Sequence, residues 1–263
     1  MPPSPSDLEF RNRTVTVTVM GLGGFGGGVG AVRFLIEAGA KVILTDLRTE
    51  AELRPSLAQL DSAWPVKLRL GRHDEADFRD TDLVVVSPAV PKESPFLAVA
   101  RERGIPLTSE MNLFWERNRG RVLAVTGSNG KSTTTALIHA ILDATCQSDP
   151  KRERGNSGCW LGGNIGISLL PEVRRIQPDD WVVLELSSFQ LEDLAPLRPR
   201  PQIAVVTNFS PNHLDRHGTV EAYRAAKQNL LRWQTADQFA VVNSESEVAT
   251  WPTAATRLRF SPE

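Results

Sequence analysis

Along the chain, short apolar runs rich in β-branched residues alternate with stretches whose apolar positions recur at helical spacing. The runs at 14–20, 41–45, 66–70 and 83–86 read as strands. The stretches at 29–38, 50–60, 95–103 and 109–117 read as helices. Asn118, Arg119 and Gly120 form a turn-like break, after which the alternation restarts. Strands are expected at 121–125, 181–186, 203–207 and 239–242, with helices at 131–144 and 221–233. Residues 251–263 close no recognisable unit, and the charged stretch 147–159 reads as an exposed loop. Strand alternating with helix is the mark of a parallel sheet covered on both faces. The expected fold is therefore α/β, with a loose Pro-rich arm over 1–13 and domains over 14–119 and 120–263.

Composition narrows the function classes. A chain of 263 residues with 41% hydrophobic residues is ordinary globular protein, and is long enough to bury a core without staples. The 30 basic and 31 acidic side chains leave a formal charge of −1, so no basic surface points to nucleic acid. Cys146 and Cys159 make no disulfide framework. The first residues lack the apolar core of a signal peptide, and no run approaches a membrane span. A cytoplasmic protein without membrane insertion is expected, and a monomer.

Two glycine-rich turns carry the candidate chemistry. Gly21-Leu22-Gly23-Gly24-Phe25-Gly26 lies between a strand and a helix in the G-x-G-x-x-G pattern, and Asp46 closes the next strand. Such glycines let backbone N–H groups approach an anion, and such an acid accepts from ribose hydroxyls. Seven of residues 21–30 are glycine, so the pattern is easily met. NAD, another nucleotide and a ligand-free tight turn all remain open.

The second turn is more specific. Thr126-Gly127-Ser128-Asn129-Gly130-Lys131-Ser132-Thr133 runs from a strand into a helix. A ring of N–H groups there can hold a triphosphate, Lys131 can neutralise it, and the Ser132 hydroxyl can ligate Mg²⁺. Glu185 lies near the end of the strand expected at 181–186, where a carboxylate can hold Mg²⁺ or its water. His213 follows another strand end and reads equally as a metal or phosphoryl contact and as an ordinary loop histidine. By pattern alone, Lys227 reads as a surface lysine on an amphipathic helix.

Together these segments resemble the ATP-dependent Mur ligase family of peptidoglycan synthesis. The TGSNGKST loop at 126–133, GGNIG at 162–166, LELSSFQLE at 184–192, NFSPNHLDRH at 208–217 and YRAAK at 223–227 carry the resemblance. Two of them, GGNIG and LELSSFQLE, are most similar to the branch that adds D-glutamate. The resemblance implies an N-terminal Rossmann-like domain followed by a P-loop-type ATP-binding domain, with the family's third domain absent. It implies an ATP- and Mg²⁺-dependent ligase, with UDP-N-acetylmuramoyl-L-alanine and D-glutamate as substrates and an acyl phosphate between them. A chain lacking the third domain is expected to turn over poorly.

The implied roles fall residue by residue. Gly127, Ser128, Asn129, Gly130, Lys131, Ser132 and Thr133 would hold ATP, with Asn243 near adenine. Ser132 and Glu185 would ligate Mg²⁺, and His213 a second Mg²⁺ beside the muramoyl substrate. Lys227 would be the lysine that family members carbamylate. Asn164 would touch the sugar or lactoyl part of the substrate. Gly23, Gly24, Asp46, Arg48 and Ser87 would surround UDP rather than NAD.

Overall fold

The computed structural model describes residues 15–23, 26–147 and 158–261. The arm at 1–13, Gly24 and most of the 147–159 loop lie outside the described residues. The chain packs as two compact units, Met1–Arg117 with Gly166–Arg174, and Asn118–Ile165 with Arg175–Glu263.

The first unit runs β1 (Thr16–Met20), α1 (Gly27–Glu37), β2 (Lys41–Asp46), α2 (Glu50–Leu57), β3 (Val66–Leu70), α3 (Ala76–Arg79), β4 (Leu83–Val86), α4 (Pro95–Glu102), β5 (Leu107–Thr108) and α5 (Glu110–Arg117). Its five strands are all parallel, in the order β3-β2-β1-β4-β5. β1 and β4 are central, so their side chains are buried on both faces, which is why both read as unbroken β-branched runs. α1 buries Ala31, Phe34 and Leu35 at helical spacing. α2 starts on a reciprocal cap in which Thr49 accepts from the Glu52 N–H and the Glu52 carboxylate accepts from the Thr49 N–H. Strand order reverses about β1 and β4, and the turn after β1 opens at that switch point.

The second unit runs β6 (Arg121–Thr126), α6 (Lys131–Gln147), β7 (Cys159–Gly163), β8 (Trp181–Glu185), α7 (Ser188–Leu194), β9 (Ile203–Val206), α8 (Leu214–His217), α9 (Val220–Gln228), β10 (Phe239–Asn243) and β11 (Thr256–Phe260). Six parallel strands stand in the order β11-β10-β9-β6-β8-β7. Leu123, Val125, Val183 and Val205 form the core against Ile138 and Leu142 of α6. β6 lies between β8 and β9, so the segments leaving all three strands meet at one end of the sheet.

Three sequence expectations change. Residues 166–174 lie in the block expected as one second domain, yet they pack with the first unit. There Leu170 and Val173 are buried, and Ser168 Oγ donates to Glu110 Oε1 at 2.5 Å. The 251–263 stretch contributes β11, which extends the sheet beside β10. α9 stops at Gln228 rather than 233, because the chain tightens into turns at Leu230 and Leu231, both fully buried.

Candidate functional site

In the first unit, the turn after β1 is fastened to β2. The Gly21 N–H donates to the Thr45 carbonyl at 2.8 Å, and the Leu22 N–H donates to Asp46 Oδ2 at 2.9 Å. Asp46 also accepts from the Arg48 N–H at 2.9 Å and from Arg48 Nη2 at 3.0 Å. Burial alone would raise the Asp46 pKa, but the bonds from Arg48 and Leu22 outweigh it and hold the carboxyl below its ordinary value. Asp46 therefore shapes the turn with the same oxygens that could meet a ribose. Ser87, just past β4, donates its N–H to the Met20 carbonyl at 2.9 Å. The carbonyl of Gly23 lies 3.4 Å from Ser56 Oγ. Gly23, Asp46, Arg48 and Ser87 are thus gathered at the strand ends around one turn.

In the second unit, β6 delivers the loop 127–130 to the start of the 17-residue α6. At the head of a helix the first N–H groups have no partner within it, which makes the end a site for anions. The loop is clamped from the segment after β9. Thr207 Oγ1 donates to the Asn129 carbonyl at 2.6 Å, and Asn208 Nδ2 donates to the same carbonyl at 3.1 Å. The Asn129 N–H donates to Asn208 Oδ1 at 2.9 Å. Ser128 Oγ donates to the Ser210 carbonyl at 2.8 Å, accepts from the Ser210 N–H at 2.9 Å, and lies 3.1 Å from the Tyr223 hydroxyl.

Gly127 has φ +147°, and a Cβ there would run into Thr207 Oγ1 and the Asn208 backbone. That close approach requires glycine. Lys131 Nζ folds over the loop to the Ser128 carbonyl at 3.1 Å, while Ser132 and Thr133 are exposed at the helix start. Beside the loop lies a cavity of about 500 Å³. Asn129, Gly130 and Thr134 line one side, the apolar Ile138, Val205, Val241 and Phe260 line its walls, and Asn243 also lines it. An apolar slot next to an anion cradle matches the two halves of a nucleotide.

Glu185 ends β8, in register with Val125 of β6 and Gly163 of β7. Its side chain is buried, Oε1 accepts from Asn164 Nδ2 at 2.9 Å, and Oε2 has no hydrogen-bond partner. A buried, unpartnered carboxylate oxygen is costly unless something binds it. A hard divalent cation would satisfy that oxygen, so the carboxylate fits Mg²⁺.

Lys227 contradicts the surface reading. It is only 1% exposed, and Nζ donates to the Gly127 carbonyl at 2.8 Å. Burial pushes its pKa down to about 7, the nearby Lys131 adds to that, and Glu185 opposes it. The side chain turns inward because α9 packs its Tyr223–Lys227 face beneath the loop, a tertiary effect invisible to helical periodicity.

His213 lies at the edge of this cluster, beside Tyr223. It is exposed, at φ 52°, with its ring 5.3 Å from Phe189 and 6.3 Å from Tyr223. His217 is better fixed, stacked on Phe189 and 2.9 Å from Ser188 Oγ. Among the described residues, no group of three or more His, Cys, Asp or Glu side chains could hold a metal by itself. Sequence reasoning assigned no role to Thr207, Asn208 or Tyr223, which fasten the loop. Asn208 and Tyr223 open the segments 208–217 and 223–227 that carry the family resemblance, which is the available signal, whereas Thr207 falls inside the expected strand.

Known proteins match both units. The Mur ligase middle domain matches residues 125–259, and the Mur ligase MurD-like N-terminal domain matches residues 15–109. The UDP-N-acetylmuramoylalanine–D-glutamate ligase of Koribacter versatilis (strain Ellin345) is 42% identical over 240 residues, covering 91% of this chain and 49% of that protein. The ligase of the same name from Roseiflexus sp. (strain RS-1) is 43% identical over 230 residues, covering 88% and 47%. The chain spans about half the length of the curated relatives it matches. Among solved structures, the UDP-N-acetylmuramate:L-alanyl-gamma-D-glutamyl-meso-diaminopimelate ligase from Neisseria meningitides shares the fold. Its TM-score is 0.62 at 16% identity, covering 94% of this chain and 78% of that one.

Proposed function

This chain belongs to the Mur ligase family, and on that premise we propose that it serves ATP-dependent amide ligation, joining D-glutamate to UDP-N-acetylmuramoyl-L-alanine in peptidoglycan precursor synthesis. The observation that carries this reading is the cluster at one end of the second sheet: the clamped 127–130 loop, the orphaned Glu185 Oε2 and the buried Lys227. Two relatives more than 40% identical are named for that reaction. The reading carries a cytoplasmic site of action.

ATP phosphates would lie on the N–H groups of Gly127–Thr133, with Lys131 swinging from the Ser128 carbonyl to meet them. The purine would enter the apolar cavity near Asn243. Mg²⁺ would be held by Ser132 and Glu185, with His213 serving a second ion; when bound it supplies neutralising charge to the phosphates. The substrate's alanyl carboxylate attacks the γ-phosphorus, the bond to the bridging oxygen breaks, and ADP leaves. The D-glutamate amine then attacks the acyl carbon, phosphate leaves with the C–O bonding pair, and the nitrogen gives up a proton to solvent. Lys131 works by positioning and by offsetting anion–anion repulsion.

Lys227 would act as a carbamate. Its free amine attacks CO₂, an N–C bond forms, one C=O electron pair moves onto oxygen, and a proton leaves the nitrogen for solvent. Burial favours the uncharged amine that this step needs. Asn164 would touch the lactoyl or sugar part of the substrate. In the first unit, Gly23, Gly24, Asp46, Arg48 and Ser87 would surround the UDP moiety.

Calorimetric titration tests the reading. UDP-N-acetylmuramoyl-L-alanine is expected to bind at one saturable site, while NADH gives no saturable heat. Saturable NADH binding with none of the UDP-linked compound would overturn it.

A further inference from the structure

Asn164 is tied to Glu185 at two points. Its main-chain N–H donates to the Glu185 carbonyl at 2.9 Å, and its Nδ2 donates to Glu185 Oε1 at 2.9 Å. The two strand ends lie so close that a Cβ on Gly163 would collide with the Glu185 backbone. Asn164 therefore holds Glu185 at both its main-chain carbonyl and its carboxylate, the first through its own main chain and the second through its side chain. A carboxylate offers only acceptors, so the NH₂ end of the amide must be the end that faces it.

We propose that Asn164 is the positioning residue of Glu185: by occupying Oε1 it fixes the rotation of the carboxylate and leaves Oε2 as the oxygen presented to the cation. This rests on the metal role of Glu185 proposed above. Without the amide, the carboxylate would be free to turn about its terminal torsion, a broad and nearly two-fold potential, and no single oxygen would be aimed. Groups that orient metal ligands in this way typically control affinity about 10–100-fold. Asn164 keeps a second N–H and its carbonyl oxygen. One side chain can therefore touch the substrate and aim the carboxylate, coupling substrate placement to the cation.

The test is a titration of the chain with Mn²⁺ alone, followed by electron paramagnetic resonance. The variants are Asn164→Leu, Asn164→Ala, Glu185→Gln and the double variant Asn164→Leu/Glu185→Gln. Both Asn164 variants keep the backbone tie, and thermal melts confirm which of them fold. Mn²⁺ affinity is expected to fall about 10–100-fold in the Asn164 variants. It should fall at least as far in Glu185→Gln, and no further in the double variant, because Asn164 acts through Glu185. Wild-type affinity in either folded Asn164 variant overturns the proposal, and so does an additive loss in the double variant. Wild-type affinity in Glu185→Gln, or no Mn²⁺ binding by the wild-type chain, overturns the metal reading beneath it.

Discussion

Lys227 Nζ donates to the carbonyl oxygen of Gly127 at 2.8 Å, joining α9 to a loop that lies 100 residues earlier in the chain. The bond satisfies a buried acceptor, but it is made by an amine whose own burial is unfavourable. In Lys227→Met the lost bond, worth about 1–3 kcal/mol, is offset by relief from burying an amine. The melting temperature should therefore shift by only a few degrees. The loosened loop should bind Mg·ATP several-fold more weakly. Calorimetry and thermal melts check both; ATP affinity equal to wild type would show that the tether does not shape the loop.

The two loop glycines should respond differently to the same substitution. Gly130 has φ +78° with open space around its missing Cβ, so Gly130→Ala bears only the left-handed backbone cost, about 1–2 kcal/mol. Gly127→Ala adds a collision with Thr207 Oγ1 and the Asn208 backbone, and should cost about 3 kcal/mol or more. Urea unfolding of the two variants measures the difference, and equal costs would contradict the close approach.

Ser128 and Tyr223 share a contact but not its weight. Ser128→Ala removes both the donor to the Ser210 carbonyl and the acceptor for the Ser210 N–H. It should destabilise by about 1–3 kcal/mol and weaken ATP binding. Tyr223→Phe removes a single 3.1 Å contact and should cost less than about 1 kcal/mol. The reverse order in denaturant melts would mean that the hydroxyl of Tyr223, not Ser128, holds the loop.

Much of this arrangement is legible in the chain, because strand ends and glycine turns are local signals. The β6–loop–α6 unit stands where the 121–133 sequence puts it, and Glu185 falls at a strand end, one residue short of the expected close at 186. What escapes is tertiary. Lys227 has the helical position of a surface lysine, and only packing against the loop turns it inward. β11, TRLRF, is mostly exposed and alternates charged residues with apolar ones, so it lacks the unbroken apolar run of a central strand. The return of 166–174 to the first unit leaves no local mark, since a nine-residue segment with a single 3-10 turn at Leu170–Glu172 reads alike in either unit.

Glu110 gives a pH signature. Burial pushes its pKa from the ordinary 4.5 up to about 7, with the bonds from Ser168 and Leu170 opposing the rise. Between those values the folded chain holds a proton that the unfolded chain has released, so stability falls as pH rises from 4.5 to about 7. Glu110→Gln should remove that slope, gaining on the order of 1–3 kcal/mol at pH 8 while matching wild type near pH 4. Chemical denaturation across this range reads the difference, and parallel wild-type and variant curves would contradict the assignment.

Triphosphate binding at the 127–133 loop is tested most directly by calorimetric titration of wild type and Lys131→Ala with Mg·ATP. Wild type should show one saturable site, and Lys131→Ala should bind about tenfold more weakly or worse, a loss of roughly 1.4 kcal/mol, with its unfolding midpoint unchanged. Equal affinity in the two proteins, or no saturable binding by the wild type, would contradict a nucleotide site at this loop.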